Sequence, residues 1–331
     1  MKKTILATLV GFMAVGAQAA EVTPTADVYG QVGIAVDAFD GVAVGEETEI
    51  NATRNTEFGI RGGAAINEAF KADYDLRVGF TADKEAELSR ANVKIAHDKF
   101  FVTAGIAESS FDNATSKMDV FDSTFTGEFE VFDRVRASEM VTLGVTPVAG
   151  LEVAIDFAGK DFEAGDLVAE QEIGDEINLA VTYQVKGFDL GLGYKTAALT
   201  EVEDQGTPVG DIDMTSAKFG AGYDFAHMGV NGLYVGGVYQ MTTVEQGTYS
   251  EDLTLASVTA GYELGHGVTL AGGYAIADSD QADDSVNTLR LGVDYAAAKN
   301  VVVKAGYAVI STDAADVEDE SLLTAGVIYN F

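Results

Sequence analysis

Acid–base chemistry near neutral pH would have to run through three histidines, because cysteine is absent and His97, His227 and His266 are the only imidazoles. A hydrolase would need one of them beside a serine nucleophile, oriented by a third group. Each falls instead at a short break between alternating segments, on different strands. No nucleophile–base pair can be assembled, so the chain is not expected to be an enzyme. Carboxylates are the abundant group, 53 acids against 20 lysines and arginines for a net charge of −33. Two runs of them, Asp278, Asp280, Asp283 and Asp284, then Asp313, Asp316, Glu318, Asp319 and Glu320, offer the oxygens that calcium or magnesium takes. Neither run has the glycine and distal glutamate of a complete calcium loop. No cofactor is expected, and divalent cations at these outer acids stay an open alternative to solvated loops.

What remains is electrostatics. Arg61, Arg77, Arg90, Lys94, Arg134 and Arg136 share the polar phase of neighbouring strands, and Arg290 is the one comparable arginine later in the chain. The longest loop, 108–133, carries Glu108, Asp112, Asp119, Asp122, Glu128, Glu130 and Asp133 against the single Lys117. Folded outward, it is a solvated acidic loop. Folded inward, it makes a narrow negative passage facing cations, where charges act strongly. The plain alternative for the cations is that they only wet a polar wall.

The elements that must hold these residues are strands. Leu323, Ala325, Val327, Tyr329 and Phe331 share one face, while Thr324, Gly326, Ile328 and Asn330 share the other. Period-two alternation of this kind recurs almost everywhere. Sixteen strands are predicted, near 26–37, 50–63, 69–81, 88–97, 99–107, 134–146, 150–159, 174–185, 187–197, 212–225, 229–243, 252–264, 266–277, 284–297, 299–311 and 320–331. Short and long connections alternate between them, which a soluble sandwich has no reason to do. Pro24, Pro147 and Pro208 are expected outside strands, as a sheet ladder requires. Gly-x-Gly pairs such as Gly191/Gly193 and Gly220/Gly222 fall on the polar phase, as spacing for small inward side chains.

The first residues read as a secretory leader: a cationic start at Lys2 and Lys3, an apolar run from Thr4 to Gly16, and a small-x-small site at Ala17-Gln18-Ala19. Residues 1–20 are assigned to it and 21–331 to one domain. Its removal takes two lysines and no acid from the −33, leaving −35. No later apolar run is long enough for a membrane-spanning helix, yet mean hydropathy is slightly positive at +0.11 and glycine reaches 37. An all-β, transmembrane, antiparallel up-and-down β-barrel of sixteen strands explains these facts together. With no cysteines for disulfides, closure of the sheet must hold it. Acidity argues against nucleic acid and anionic lipid surfaces as partners.

The mature chain resembles the general diffusion porins of Gram-negative bacteria. Asp27-Val28-Tyr29-Gly30-Gln31 is similar to the first strand of that family, and Phe58-Gly59-Ile60-Arg61-Gly62 to its second. Gly127-Glu128-Phe129 is similar to the tip of its constriction loop, and Tyr329-Asn330-Phe331 to its terminal aromatic signal. The resemblance implies a homotrimer in the outer membrane, among its lipid and lipopolysaccharide. It implies a long third loop folded into the lumen and recognition of Phe331 by the barrel-assembly machinery. Two departures stand out: Glu57 where the family often has arginine before the Phe-Gly pair, and Gly105-Ile106 where arginine often follows glycine.

Sixteen strands enclose more space than side chains fill, so a water-filled channel is expected, passing ions and small hydrophilic solutes. A thinned basic ladder beside an acidic loop favours cations. Two alternatives stay open. A substrate-specific channel, for sugars for example, needs an aromatic track, and Tyr29 and Tyr234 are few. A non-conducting barrel would serve as adhesin or structural anchor through its loops.

Overall fold

The computed structural model describes residues 25–40, 47–51, 56–80, 86–121, 139–159, 162–164, 167–170, 172–204, 207–208, 210–281, 285–313 and 319–331. Twenty strand segments form one closed antiparallel sheet with its outer extensions. Sixteen make the wall: β1 (Thr25–Asp40), β2 (Glu57–Ala65), β3 (Lys71–Phe80), β4 (Ala86–His97), β5 (Phe100–Ile106), β6 (Glu139–Val148), β7 (Leu151–Gly159) and β8 (Glu176–Val185). The circuit continues through β9 (Phe188–Asp204), β10 (Ile212–Asp224), β11 (Leu233–Gln246), β12 (Tyr249–Gly265), β13 (Val268–Ser279), β14 (Val286–Ala298), β15 (Val301–Thr312) and β16 (Glu320–Asn330). It closes where β1 meets β16, from Gln31 opposite Asn330 to Asp40 opposite Ser321. The seam ends with Gly30 N–H donating to the Phe331 carbonyl at 3.1 Å and Phe331 N–H returning the bond at 3.0 Å. Closure pairs every edge, the condition for a sheet to stand in hydrocarbon.

The burial pattern is inverted relative to a soluble protein. On β9, Leu192 is 53 % exposed and Lys195 of the opposite phase is 2 % exposed. Val32, Phe219, Tyr239, Val258, Leu291 and Tyr329 are exposed likewise on the outward phase. Apolar side chains therefore face out all round the wall, and the polar phase faces in. This alternation is also why these segments are strands: β-branched and aromatic residues suit a pleated, half-buried surface.

Short connections gather at one end, with Thr25 and Phe331. Lys186 and Gly187, at φ 48° and 86°, form one two-residue turn, and His266 and Gly267, at 52° and 80°, another. Paired positive φ values define the type I′ hairpin, whose twist matches the strands. Asn67 closes the β2–β3 turn by accepting from Ala69 N–H at 2.8 Å and Phe70 N–H at 2.9 Å.

Several sequence-based boundaries are corrected. The loop expected over 244–251 is a tight turn, because β11 runs to Gln246 and β12 starts at Tyr249. The loop expected over 160–173 contains a hairpin, Phe162–Ala164 with Leu167–Glu170, paired to the outer end of β9. Pro147 lies inside β6, where the register with β7 shifts between Val145 and Val148. Pro208 lies in a two-residue strand beside β9. Both tolerate a missing N–H, one at a register break and one on a short edge piece. The descending stretch meets β1 in two registers: Glu47–Asn51 pairs up to Ala35 opposite Asn51, and β2 pairs from Gln31 opposite Glu57.

Candidate functional site: the inner wall and the segment it holds

On the inward phase of β2 to β4, acids and bases alternate in a chain. The Arg77 Nη1 lies 3.1 Å from Glu57 Oε2. Arg90 Nη1 lies 3.3 Å from Asp75 Oδ2, and its Nη2 lies 2.6 Å from Glu108 Oε1. Arg77 Nη2 reaches the same Glu108 oxygen at 3.7 Å. Asp75 also accepts from the Tyr29 hydroxyl, and Arg61 stands over the Tyr29 ring at 4.9 Å. Lys94 sits 3.9 Å from the Phe101 ring. Arg77 and Arg90, expected beside or across from an acidic loop, are thus paired with carboxylates of their own wall and with the first acid of the loop. Glu57, the departure noted in the second strand, is one of those partners.

Beyond β5 the chain turns inside. Ser110–Asn113 forms one helical turn, capped by the Ser109 Oγ, which accepts from Asp112 N–H at 3.1 Å. Ser116–Met118 is a 3-10 turn. This segment lies along glycines on the inward phase of β9 to β12. A side-chain carbon at Gly191 would collide with the Ala114 carbonyl, one at Gly193 would come within 2.9 Å of the Phe111 ring, and one at Gly220 would meet Thr115 at 2.7 Å. The inward glycines therefore form the bed on which the segment rests. Phe121 is buried against Leu255 and Ala275.

Buried polar contacts tie the segment to the wall. Asp156 of β7, fully buried, accepts from Ser110 N–H at 2.5 Å and Ser110 Oγ at 2.7 Å. Lys218 of β10 lies 3.8 Å from Asp112 Oδ1 and 4.1 Å from the Phe111 ring. Lys195 lies 3.5 Å from Glu176, which also accepts from Asn178 Nδ2 at 2.8 Å. Thr259 Oγ1 donates to the Met118 carbonyl at 2.5 Å. Toward the short-turn end, a space of about 850 Å³ opens between the segment and β4 to β9, lined by Lys94, Phe101, Glu108, Lys117, Gln184 and Asp189 among others.

The expected site residues are thus distributed unevenly. Arg77, Arg90 and Glu108 come together, Arg61 stands on the same stretch of wall, and Lys94 lies two inward steps along β4 from Arg90. Asp112 belongs to the wall contact, and Asp119 accepts from Phe121 N–H at 2.8 Å. Asp122, Glu128, Arg134 and Arg136 lie outside the described residues. Asp75, Asp156, Glu176, Lys195 and Lys218 were not singled out from sequence, although each lies on the inward phase of its strand. Among the described residues no cluster of three acids, histidines or cysteines could hold a metal ion. Of the acidic runs, Asp283, Asp284, Asp316 and Glu318 lie outside the described residues.

The bed predicts a specific sensitivity. A side-chain carbon at Gly236 would meet the Met118 carbonyl oxygen at 2.6 Å and its Cα at 2.9 Å, both backbone. Gly236→Ala should cost about 1–3 kcal/mol through overpacking and strip hydrogen-exchange protection from the 107–121 segment. Unchanged exchange there would show that the segment does not rest on this wall.

Comparison with known proteins agrees with this architecture. The sequence profile of the Gram-negative porins matches residues 6–315. No curated protein matches the full sequence at significant similarity. Among solved structures, the anion-selective porin of Comamonas acidovorans superposes with TM-score 0.78 at 17% identity, covering 93% of this chain and 100% of that one. A trimer form of OmpT, an outer membrane protein of Vibrio cholerae, gives 0.71 at 13%, covering 93% and 100%. OmpF of Salmonella typhi, in complex with daunomycin, gives 0.70 at 18%, covering 92% and 97%.

Proposed function

This chain belongs to the Gram-negative porin family, and on that premise we propose that it is a trimeric, cation-preferring diffusion channel for ions and small hydrophilic solutes. Family and fold support an integral outer-membrane channel. The finer reading is carried by charge on the inner wall. On β1 to β3, Asp27, Asp37, Glu57, Asp73 and Asp75 share the inward phase with only Arg61, Lys71 and Arg77. The described part of the inner segment adds Glu108, Asp112 and Asp119 against Lys117.

Mobile cations are concentrated by such a wall and anions depleted, because field lines are focused in a passage with low-dielectric sides. Segment 107–121, held against the wall, takes up part of the interior and sets the sieve. The roughly 850 Å³ space beside it admits small hydrated solutes. The Comamonas protein is described as anion-selective, but at 17% identity the likeness carries the fold alone. Selectivity is read from this chain's own charges. The trimer form of the Vibrio protein supports the oligomeric state proposed. Leader removal after Ala19 or Ala20 and recognition of Phe331 by the barrel-assembly machinery belong to the same proposal.

The test is a reversal potential across a planar bilayer under a KCl gradient. Potassium preference is expected, and a potential of the sign set by chloride would refute the selectivity. Cross-linking in detergent should give a species of three chains.

A further inference from the structure

Arg77 and Arg90 are direct cross-strand partners on β3 and β4. Like charges placed opposite each other destabilise a sheet, so this pair needs an anion between its two heads. Glu108 supplies it: one oxygen, Oε1, lies 2.6 Å from Arg90 and 3.7 Å from Arg77. The outer sides of the two guanidinium groups are held by Glu57 and Asp75, which fixes the fork between them. Among the described residues the Nε atoms of both arginines are buried without a hydrogen-bond partner, so the two heads meet their carboxylates through the terminal nitrogens alone. The register slips beside it, between Arg77 and Val78, leaving Ser89 as the extra residue. Bulges of this kind re-aim side chains beside functional sites.

The three partners also differ in exposure. The side chains of Arg77 and Arg90 are 17% and 27% exposed, whereas that of Glu108 is 42% exposed. Glu108 is not on the wall strands but on the segment that leaves β5, and it lines the space below that segment. A fixed pair of planar, bidentate donors is thus filled by a carboxylate that stands partly in solvent and is tethered to a different element. Guanidinium forks of this type match carboxylate and phosphate geometry.

We propose that Arg77 and Arg90 form an oxyanion-binding step in the lumen that Glu108 occupies from within the chain, so that this one carboxylate decides whether the arginines act on passing ions. With Glu108 in place three carboxylates surround two guanidinium groups, the open side of the pair is filled, and phosphate-class anions are refused. Without it the pair faces the channel as a site for anions that present two oxygens. The proposal rests on the channel reading above and names the specificity-determining residue within it.

Three proteins in planar bilayers test it: the wild type, Glu108→Gln, and Glu152→Gln, which removes a charge from the inward phase of β7 away from the arginines. Glu108→Gln should raise the chloride-to-potassium permeability ratio about threefold, the scale of one unit charge acting at close range in partly screened solvent. It should also make inorganic phosphate a saturable blocker of the current. Glu152→Gln should move the ratio much less and give no block. Adding Arg77→Gln and Arg90→Gln to Glu108→Gln should abolish the block. Equal shifts in the two single variants would reduce Glu108 to one more lumen charge and overturn the proposal. So would phosphate block that survives loss of both arginines. Where Glu108→Gln fails to fold, Glu108→Asp, too short to bridge both heads, should give the same changes at smaller size. A wild type without conductance would remove the channel reading instead. Equilibrium dialysis of radiolabelled phosphate against folded Glu108→Gln in detergent then still decides the site, and absence of binding overturns it.

Discussion

Replacing Asp156 with alanine is expected to release the inner segment from the wall, giving a wider, noisier channel and a less stable barrel. Asp156 is fully buried and holds both the backbone N–H and the hydroxyl of Ser110. Its loss strands two donors in a site closed to water, each costing about 1–3 kcal/mol. Glu176, on the adjoining β8, carries the same charge as Asp156, so relief of their repulsion offsets part of this cost. Lys218 beside Asp112 and the glycine bed remain, so the segment should loosen at Ser110 rather than leave the wall entirely. Asp156→Asn keeps one acceptor and should fall between wild type and alanine. Open-channel current noise and the melting temperature in detergent are the readouts. An alanine variant with both unchanged would mean that the segment is held by packing alone.

Deleting Phe331 is the second change with a large expected effect. The residue contributes two backbone hydrogen bonds to Gly30, which are the last pair of the closing seam. Its ring lies 6.3 Å from that of Phe58 and 6.4 Å from that of Tyr329. Gly30 leaves room for the ring, since a side-chain carbon there would come within 2.7 Å of it. Aromatic contacts of this kind are worth about 0.5–1.5 kcal/mol, and each net hydrogen bond a similar amount. The deletion should therefore lower the folded-to-unfolded equilibrium constant, read by urea titration of the heat-modifiable barrel in detergent, by more than about tenfold, the change that 1.4 kcal/mol brings. Phe331→Ala keeps both backbone bonds and should refold nearly as well as wild type in vitro. In cells it should accumulate poorly if the assembly machinery reads the ring. Normal outer-membrane levels of Phe331→Ala would remove that role from the side chain.

How far the sequence disclosed this architecture depends on the kind of residue considered. Alternation fixes which face a side chain takes, so the inward placement of Arg77, Arg90 and Lys94 follows from counting by two. Turn chemistry disclosed most hairpins, although Gly247 and Thr248 were hidden inside an acidic, polar stretch that reads as a loop. Pro147 shows the limit of a composition rule, because a register break lets a strand keep a proline. Partnerships were hidden more deeply. That Glu57 faces Arg77 depends on the β2–β3 register, and that register follows from the length of the turn that joins the two strands. Gly191, Gly193 and Gly220 read as space on the inner face. What fills that space is a segment far away in sequence, and nothing in their own neighbourhood announces it. Asp156 was passed over for the same reason: its partner, Ser110, meets it only once the chain has turned inside.

The barrel is expected to conduct. Purified protein, shown to be folded by its heat-modifiable migration, should insert into a planar bilayer in discrete current steps, grouped in threes. Step size should scale in proportion to the conductivity of the bathing salt, as a water-filled passage requires. Folded protein that inserts yet gives no steps, or steps independent of bulk conductivity, would contradict the channel reading and leave a closed barrel in its place.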